Sequence, residues 1–130
     1  MNVLDENILD SQRVLLRSWR IALRQIVHDT GRKGMTDKDI LPFLLTLRRP
    51  TFSTRDLGFY QRENCHPRYC LVCLAVGQYE AAHFVRRLLR HPDFTTQAQR
   101  LGCVLRVMDT GVAVWRWHAE QQRRVPWPSP

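Results

Sequence analysis

The chain has 130 residues, 44% of them hydrophobic and 25% charged, so it can bury the core of one domain and is not a wholly disordered chain. Charged residues interrupt every apolar run before it reaches the ~20 residues needed to span a bilayer, and no signal-like segment follows Met1, so we expect a cytoplasmic protein with no membrane partner. The formal net charge of +8 comes almost entirely from arginine, which suits an anionic polymer. A generally basic, solubilising surface is the simpler alternative.

Hydrophobic spacing predicts alternating strands and helices along the chain. In chain order we expect a strand at 2–5, a helix at 9–19, a strand at 21–27, a helix opened by Thr36, strands at 51–54 and 69–76, a helix at 78–90, and strands at 103–108 and 112–115. This order is typical of an α/β domain, here over 1–122, with a mainly parallel central sheet flanked by helices. The last two strands would form a C-terminal edge hairpin, and the proline-rich residues 123–130 a flexible tail.

Two acids follow predicted strands directly: Asp5 after the first and Asp56 after the third. Because the carboxyl ends of parallel strands meet at one rim, where α/β proteins bind ligands, we expect the two side chains to lie close together. Asp37 or Asp39, at the start of a helix, could line the same rim. Clustered carboxylates repel each other unless a cation joins them, so the cluster predicts Mg²⁺ or Mn²⁺.

Asp37 and Asp39 cannot both face this rim, since they are two residues apart on a helix. Asp39 is three residues after Thr36 and could complete a capping box with it. We therefore favour Asp37 as the catalytic and metal-binding residue and treat Asp39 as supporting. Helix-end electrostatics is the alternative for both, and turn formation is the alternative for Asp5 and Asp56.

Three segments resemble the PIN domain family. Val3-Leu4-Asp5-Glu6-Asn7 resembles its opening strand, of the form hydrophobic-Asp-x-Asn, and Ser53-Thr54-Arg55-Asp56-Leu57-Gly58-Phe59 resembles its later Thr-x-Asp-x-x-Phe motif. The stretch from Gly31 to Leu41 is similar to the Gly-x-x-Gly-x-x-Asp-x-x-Ile-Leu pattern of compact PIN-like prokaryotic proteins. The resemblance covers about residues 1–60.

The resemblance implies a Mg²⁺- or Mn²⁺-dependent endoribonuclease, often the toxin of a toxin–antitoxin pair. Asp5 and Asp56 would be metal ligands, Asn7 would orient the first turn, and Thr54 would hydrogen-bond near the metal. Many PIN domains carry another acid two residues after the later Asp, where this chain has Gly58. The alternative is therefore a weakly active or inactive PIN-like module that binds nucleic acid or a protein partner.

Several basic residues are candidates for RNA binding beside the acids. Arg32, Lys33, Arg55 and Arg62 are the closest to the motifs, and the arginines at 17, 20, 24, 48 and 49 could extend the surface. Trp115, Trp117 and His118 could stack on bases or could be core aromatics of an edge strand. An antitoxin protein or a second copy of the chain are the expected protein partners.

Four cysteines allow a zinc-site alternative through Cys65, His66, Cys70 and Cys73. However, Cys70 and Cys73 fall in a predicted buried strand, on which positions three apart point to opposite faces. We therefore interpret these thiols as small core residues.

Overall fold

The computed structural model describes residues 1–129 and contains one seven-stranded sheet with four α-helices. The strands are β1 (Asn2–Leu4), β2 (Arg24–Gln25), β3 (Thr51–Thr54), β4 (Cys70–Leu74), β5 (Cys103–Met108), β6 (Gly111–Arg116) and β7 (Arg123–Val125). The helices are α1 (Asp10–Ser18), α2 (Asp37–Leu44), α3 (Ala81–Leu89) and α4 (Gln97–Arg100). Within residues 1–129, no helix is long and apolar enough to cross a membrane.

The strand order is β2-β1-β3-β4-β5-β6-β7. Strands β1 to β5 are parallel to their neighbours, whereas β6 and β7 pair antiparallel. The predicted α/β architecture is thus confirmed, and the sheet combines a parallel part with an antiparallel edge. The chain leaves β1 toward β2 on one side and later returns to β3 on the other. In sheets of this kind the carboxyl ends of two such strands border a ligand-binding crevice.

Alternating side chains along the strands divide the core into two faces. On the face that we call the α1/α3 face, Leu4 and Leu105 pack with residues of those two helices, including Leu16 and Leu88. On the opposite face, called the α2 face, Val3 and Phe52 pack against α2 and against the segment 57–69, which contains two short 3-10 helices. Both faces of β1 and β3 are therefore covered, and their carboxyl ends are held rigidly at the rim.

The strand predicted at 21–27 is reduced to Arg24–Gln25. Its apolar residues pack on the core, but the chain turns immediately after them. Val27 has a left-handed backbone with φ +85°, and the carboxylate of Asp29 accepts a hydrogen bond from the backbone N–H of Gln25 at 2.9 Å. The Asp29 side chain takes a backbone N–H that a longer strand would use for pairing, and the spacing of apolar residues does not predict such a contact.

The prediction of a flexible tail at 123–130 was wrong for Arg123–Val125, and residue 130 lies outside the described residues. Arg123–Val125 pair with β6 and complete the sheet. Beyond them, the indole N–H of Trp127 donates to the Met108 carbonyl at 2.8 Å, and its ring lies 4.3 Å from the Arg87 guanidinium carbon. The domain therefore extends past residue 122 in the described part of the chain. The prolines predicted an irregular segment at the C-terminus, but contacts with the rest of the domain hold Arg123–Val125 and Trp127 in place.

Candidate functional site

Asp5 follows β1 directly and is buried, with 6% of its surface exposed. Its backbone N–H donates to the Ser53 carbonyl at 2.9 Å, which continues the pairing of β1 with β3 past the end of β1. Its carboxylate accepts hydrogen bonds from the Thr54 hydroxyl at 2.7 Å and from the Glu6 N–H at 2.8 Å. The buried Gln25 amide donates to the Asp5 carbonyl at 3.0 Å, so both backbone and side chain are held in place.

Thr54, the last residue of β3, links the two acidic segments. Its side chain is fully buried, and its hydroxyl donates to Asp5 while accepting from the Asn7 amide at 3.2 Å and from the Asp56 N–H at 3.0 Å. The amide oxygen of Asn7 accepts from the Arg55 N–H at 3.2 Å. Asn7 and Thr54 therefore hold together the turns that carry Asp5 and Asp56.

Asp56 and Asp37 are exposed at the same rim. Asp56 caps the short 3-10 helix Leu57–Phe59, because its Oδ1 accepts from the Gly58 N–H at 2.9 Å. Asp37 is the first residue of α2, and its carboxyl group lies within hydrogen-bonding reach of the Asp56 carboxyl. The fold thus brings Asp37 next to Asp56, and Thr54 connects this pair to Asp5.

The pKa of two of these acids, Asp5 and Asp37, is raised by burial and by neighbouring carboxylates. Burial raises the pKa of Asp5, the hydrogen bonds from Thr54 and Glu6 lower it, and the nearby charges of Glu6 and Asp56 raise it again. Burial and the proximity of Asp56 also raise the pKa of Asp37. In the described part of the chain, no arginine or lysine forms an ion pair with Asp5, Asp37 or Asp56. The protein itself therefore leaves their negative charge uncompensated.

Asp39 has a different role from Asp37. Its Oδ2 accepts hydrogen bonds from the Thr36 N–H at 3.1 Å and the Thr36 hydroxyl at 3.0 Å, and it pairs with Arg32 at 3.3 Å. The bonds from Thr36 and the pairing with Arg32 lower the pKa of Asp39. The capping box predicted from the sequence is thus present, and Asp39 stabilises the start of α2.

A cleft of about 460 Å³ opens at the carboxyl ends of β4 and β5, and Asp5, Asp37 and Asp56 are not among the residues that line it. Arg55 lines it, and the guanidinium donates to the Val76 carbonyl at 3.3 and 3.4 Å. Glu80 and Asp109 line the far side, and the sequence-based reasoning did not select either of them. Asp109 follows a predicted strand, the same signal that identified Asp5 and Asp56, but its place in the Asp109-Thr110-Gly111 turn concealed it.

The candidate RNA-binding residues lie in several places. Arg32 and Lys33 are exposed on the loop Gly31–Gly34, which is tied to Glu6 by a 3.1 Å hydrogen bond from the Gly34 N–H. Arg62 lies over the Trp115 ring, at 5.7 Å, on the sheet rather than at the rim. Arg48 and Arg49 precede β3, so the prediction that they flank the acids was wrong. Arg17 pairs with Asp29 at 3.1 Å.

The cysteines do not form a metal centre through the Cys70-x-x-Cys73 pair. Cys70 packs on the α1/α3 face and Cys73 on the α2 face, as expected for a strand. Burial raises the pKa of the Cys73 thiol to about 12 and that of Cys70 well above its ordinary value, so both remain protonated. Cys65 is also buried, and we interpret all of these thiols as core residues.

The fold and this rim define an α/β domain with a carboxylate cluster at the carboxyl ends of parallel strands. Within residues 1–129, no group of three or more His, Cys, Asp or Glu side chains is arranged so that it could hold a metal ion. Comparisons with known protein families, with curated proteins and with solved structures found no match to this chain.

Proposed function

We propose that the chain is a PIN-like endoribonuclease that depends on Mg²⁺ or Mn²⁺ and hydrolyses phosphodiester bonds at the rim formed by Asp5, Asp37 and Asp56. The observations that support this proposal are the proximity of Asp37 to Asp56, the link from Asp56 through Thr54 to Asp5, and the absence of a basic residue paired to any of the three acids in the described part of the chain. Structural carboxylates are usually paired or used as caps, as Asp39 is. Asp56 also caps a short 3-10 helix, whereas Asp5 and Asp37 neither cap a helix nor form an ion pair within residues 1–129. Acids whose pKa is raised by a neighbouring acid, as those of Asp5 and Asp37 are, are typical of functional sites.

The donor set fits a hard divalent cation, because carboxylate oxygens are the ligands that Mg²⁺ and Mn²⁺ prefer. Asp5, Asp37 and Asp56 would hold the ion. When bound, it would activate water and neutralise charge that develops on the scissile phosphate. Thr54 and Asn7 would orient the two acidic turns, as second-layer hydrogen bonds do at metal sites. Arg55 and the basic loop at Arg32 and Lys33 would bind the RNA backbone near the acids.

The decisive experiment is Mn²⁺-dependent cleavage of labelled RNA by the wild type and by Asp56→Asn. Asn preserves the shape and one acceptor oxygen but removes the charge that holds the cation, so we expect a loss of cleavage of at least about 100-fold. Asp93→Asn is a matched control, because Asp93 is an exposed acid placed beside Arg123, away from the rim. Calorimetric titration with Mn²⁺ provides a second measurement that does not depend on finding a substrate. Equal cleavage and equal Mn²⁺ binding by the wild type and Asp56→Asn would refute the proposed site.

One observation favours a second candidate, a PIN-like module that binds RNA or a protein without cleaving it. Gly58 stands where many PIN domains carry another acid, and a Cβ atom at this position would lie 3.0 Å from Oδ1 of Asp56. The Asp56 carboxylate that caps the 3-10 helix thus occupies the space that a side chain at position 58 would need. RNA binding by a wild type that shows no cleavage in Mg²⁺ or Mn²⁺ would favour this second function.

The proposal places the chain in the cytoplasm, as the toxin of a toxin–antitoxin pair or as a homodimer. The net charge of +8 supports the antitoxin part of this proposal, because an acidic antitoxin would complement it. Co-expression with the neighbouring gene product, followed by purification of a stable complex, would test this part separately.

A further inference from the structure

The α2 face of the antiparallel edge carries a row of side chains that continues directly from the candidate site. Register places Thr54 beside Cys73, Cys73 beside Arg106, Arg106 beside Ala113, and Ala113 beside Arg124. Since neighbouring strands are roughly 4.8 Å apart, Arg106 lies roughly 10 Å and Arg124 roughly 20 Å from Thr54 along the sheet. One row thus leads from the buried link of the acidic cluster to the edge of the molecule.

Among residues 1–129, α2 is the only α-helix in the core cluster of this face. Ala113 in the row is nevertheless only 2% exposed, so neighbouring side chains cover the centre of the row. Aromatic side chains lie along it. Trp115 is half-buried on the same face, two residues after Ala113, and Arg62 lies over its ring. Tyr60 is half-buried beside Arg106 and Arg124, and its hydroxyl hydrogen-bonds Gln122. We call Tyr60, Arg62, Arg106, Trp115 and Arg124 the basic-aromatic strip.

The arginines of the strip have no acidic partner. Among residues 1–129, every ion pair involves Arg13, Arg17, His28 or Arg32, and none involves Arg62, Arg106 or Arg124. The Nε atom of Arg106 is buried and makes no hydrogen bond. Three guanidinium groups on one sheet face without a counter-charge would repel one another, and a polyanion would relieve this repulsion.

We propose that the basic-aromatic strip binds single-stranded RNA and guides it along the row from β7 toward the acidic rim. Guanidinium groups neutralise backbone phosphates, while the exposed parts of the half-buried Tyr60 and Trp115 rings offer surfaces on which unpaired bases stack. Stacking on Trp115 requires Arg62 to leave its place over the ring. The bases of a duplex are already stacked on each other and cannot reach these rings. This inference rests on the proposed function, since it supplies the path by which that enzyme would receive its substrate.

The test is fluorescence anisotropy with a labelled 12-nucleotide oligouridylate in EDTA, which excludes cleavage. Arg124→Gln should weaken binding about three-fold to ten-fold near 0.1 M salt and reduce the salt slope by about 0.7, the value of one phosphate contact on a single strand. Arg123→Gln is the matched control. Arg123 precedes Arg124 in β7, pairs with Val114 and lies beside Asp93 on the opposite face of the sheet. Trp115→Leu should weaken binding while leaving the salt slope unchanged, because it removes stacking without removing charge.

Equal losses in Arg124→Gln and Arg123→Gln, or a 12-base-pair RNA duplex binding as tightly as the single strand, would overturn the inference. Unchanged oligonucleotide binding by Arg124→Gln would also overturn the inference. It would favour an acidic protein as the partner that binds the strip. The cleavage assay keeps the two proposals separate. RNA binding that depends on the strip, without any cleavage, would refute the proposed ribonuclease activity and support RNA binding by the strip. Cleavage that Arg124→Gln does not change would support the ribonuclease activity and refute the role of the strip.

Discussion

The Thr54 hydroxyl donates a 2.7 Å hydrogen bond to Oδ2 of Asp5, a residue 49 positions away in the sequence. The same oxygen accepts from Asn7 and from the backbone of Asp56, so one hydroxyl group uses its donor and both of its acceptor positions. The geometry of the acidic rim therefore depends on a single buried side chain that carries no charge.

Thr54→Val should test this dependence. The substitution keeps the shape but leaves the Asp5 carboxylate, the Asn7 amide and the Asp56 N–H without their shared partner, which should lower the free energy of unfolding by about 2–3 kcal/mol. Thr54→Ser is the control, since it keeps the hydroxyl and loses one buried methyl group, a cost of about 1 kcal/mol. Urea unfolding measures both, and a Val variant as stable as the Ser variant would contradict the role of the hydroxyl.

The raised pKa values of Asp5 and Asp37 make a prediction about pH. An acid whose pKa is higher in the folded state contributes stability below its unfolded pKa, and this contribution is lost as pH rises through the folded pKa. At pH 7 the metal-free Asp37→Asn variant should therefore melt higher than the wild type, by roughly 2 °C for a surface change of about 0.5 kcal/mol. Below about pH 4 the difference should vanish. A lower melting temperature at pH 7 would show that the carboxylate is not repelled.

Asp39 should behave oppositely to Asp37, because its carboxylate caps α2. Asp39→Ala should lower the free energy of unfolding, because it removes the side chain that completes the capping box of α2. It should leave intact the rise in melting temperature that Mn²⁺ produces in the wild type, whereas Asp37→Asn should reduce that rise. Thermal melts of the two variants with and without Mn²⁺ decide the matter. If Mn²⁺ no longer raised the melting temperature of Asp39→Ala, Asp39 rather than Asp37 would be the metal ligand.

The contacts of Trp127 predict that the C-terminal segment stabilises the domain. Trp127→Ala should lower the free energy of unfolding by about 2 kcal/mol, less than the 3–5 kcal/mol of a fully buried Trp because the ring is only half-buried. Trp117→Ala is the control, since 44% of Trp117 is exposed. We expect its cost to be no more than about 1 kcal/mol, as for other surface positions. Chemical denaturation of both variants tests this, and equal effects would mean that the segment only rests on the surface.

Local signals identified much of the architecture. Apolar residues at helical spacing predicted α1 within one residue at each end, and the Thr36–Asp39 pair predicted the start of α2. The four-residue strand β3 was found because its Thr-Phe-Ser-Thr sequence is bounded by proline and acid. These elements succeed because the interactions that form them lie within a few residues along the chain.

The choice between Asp37 and Asp39 illustrates where sequence reasoning ends. Both acids occur in the first turn of the same helix, and the sequence suggested the division of roles through the capping box alone. The structure separates them by what each carboxyl group touches: Asp39 touches Thr36, three residues away, whereas Asp37 touches Asp56, which is distant in the sequence. No local pattern encodes the second contact.

The sequence by itself thus determined the α/β order, the starts of α1 and α2 and the acids that follow strands, because each depends on spacing and neighbours along the chain. It predicted the third helix to begin three residues before Ala81 and did not predict α4. Only the tertiary structure decided which strands are adjacent, and with that the row from Thr54 to Arg124 and the incorporation of Arg123–Val125 into the sheet. Strand pairing joins residues far apart in the sequence through backbone hydrogen bonds, which are nearly independent of side-chain identity. The partner of a strand is therefore set by the packing of the whole domain.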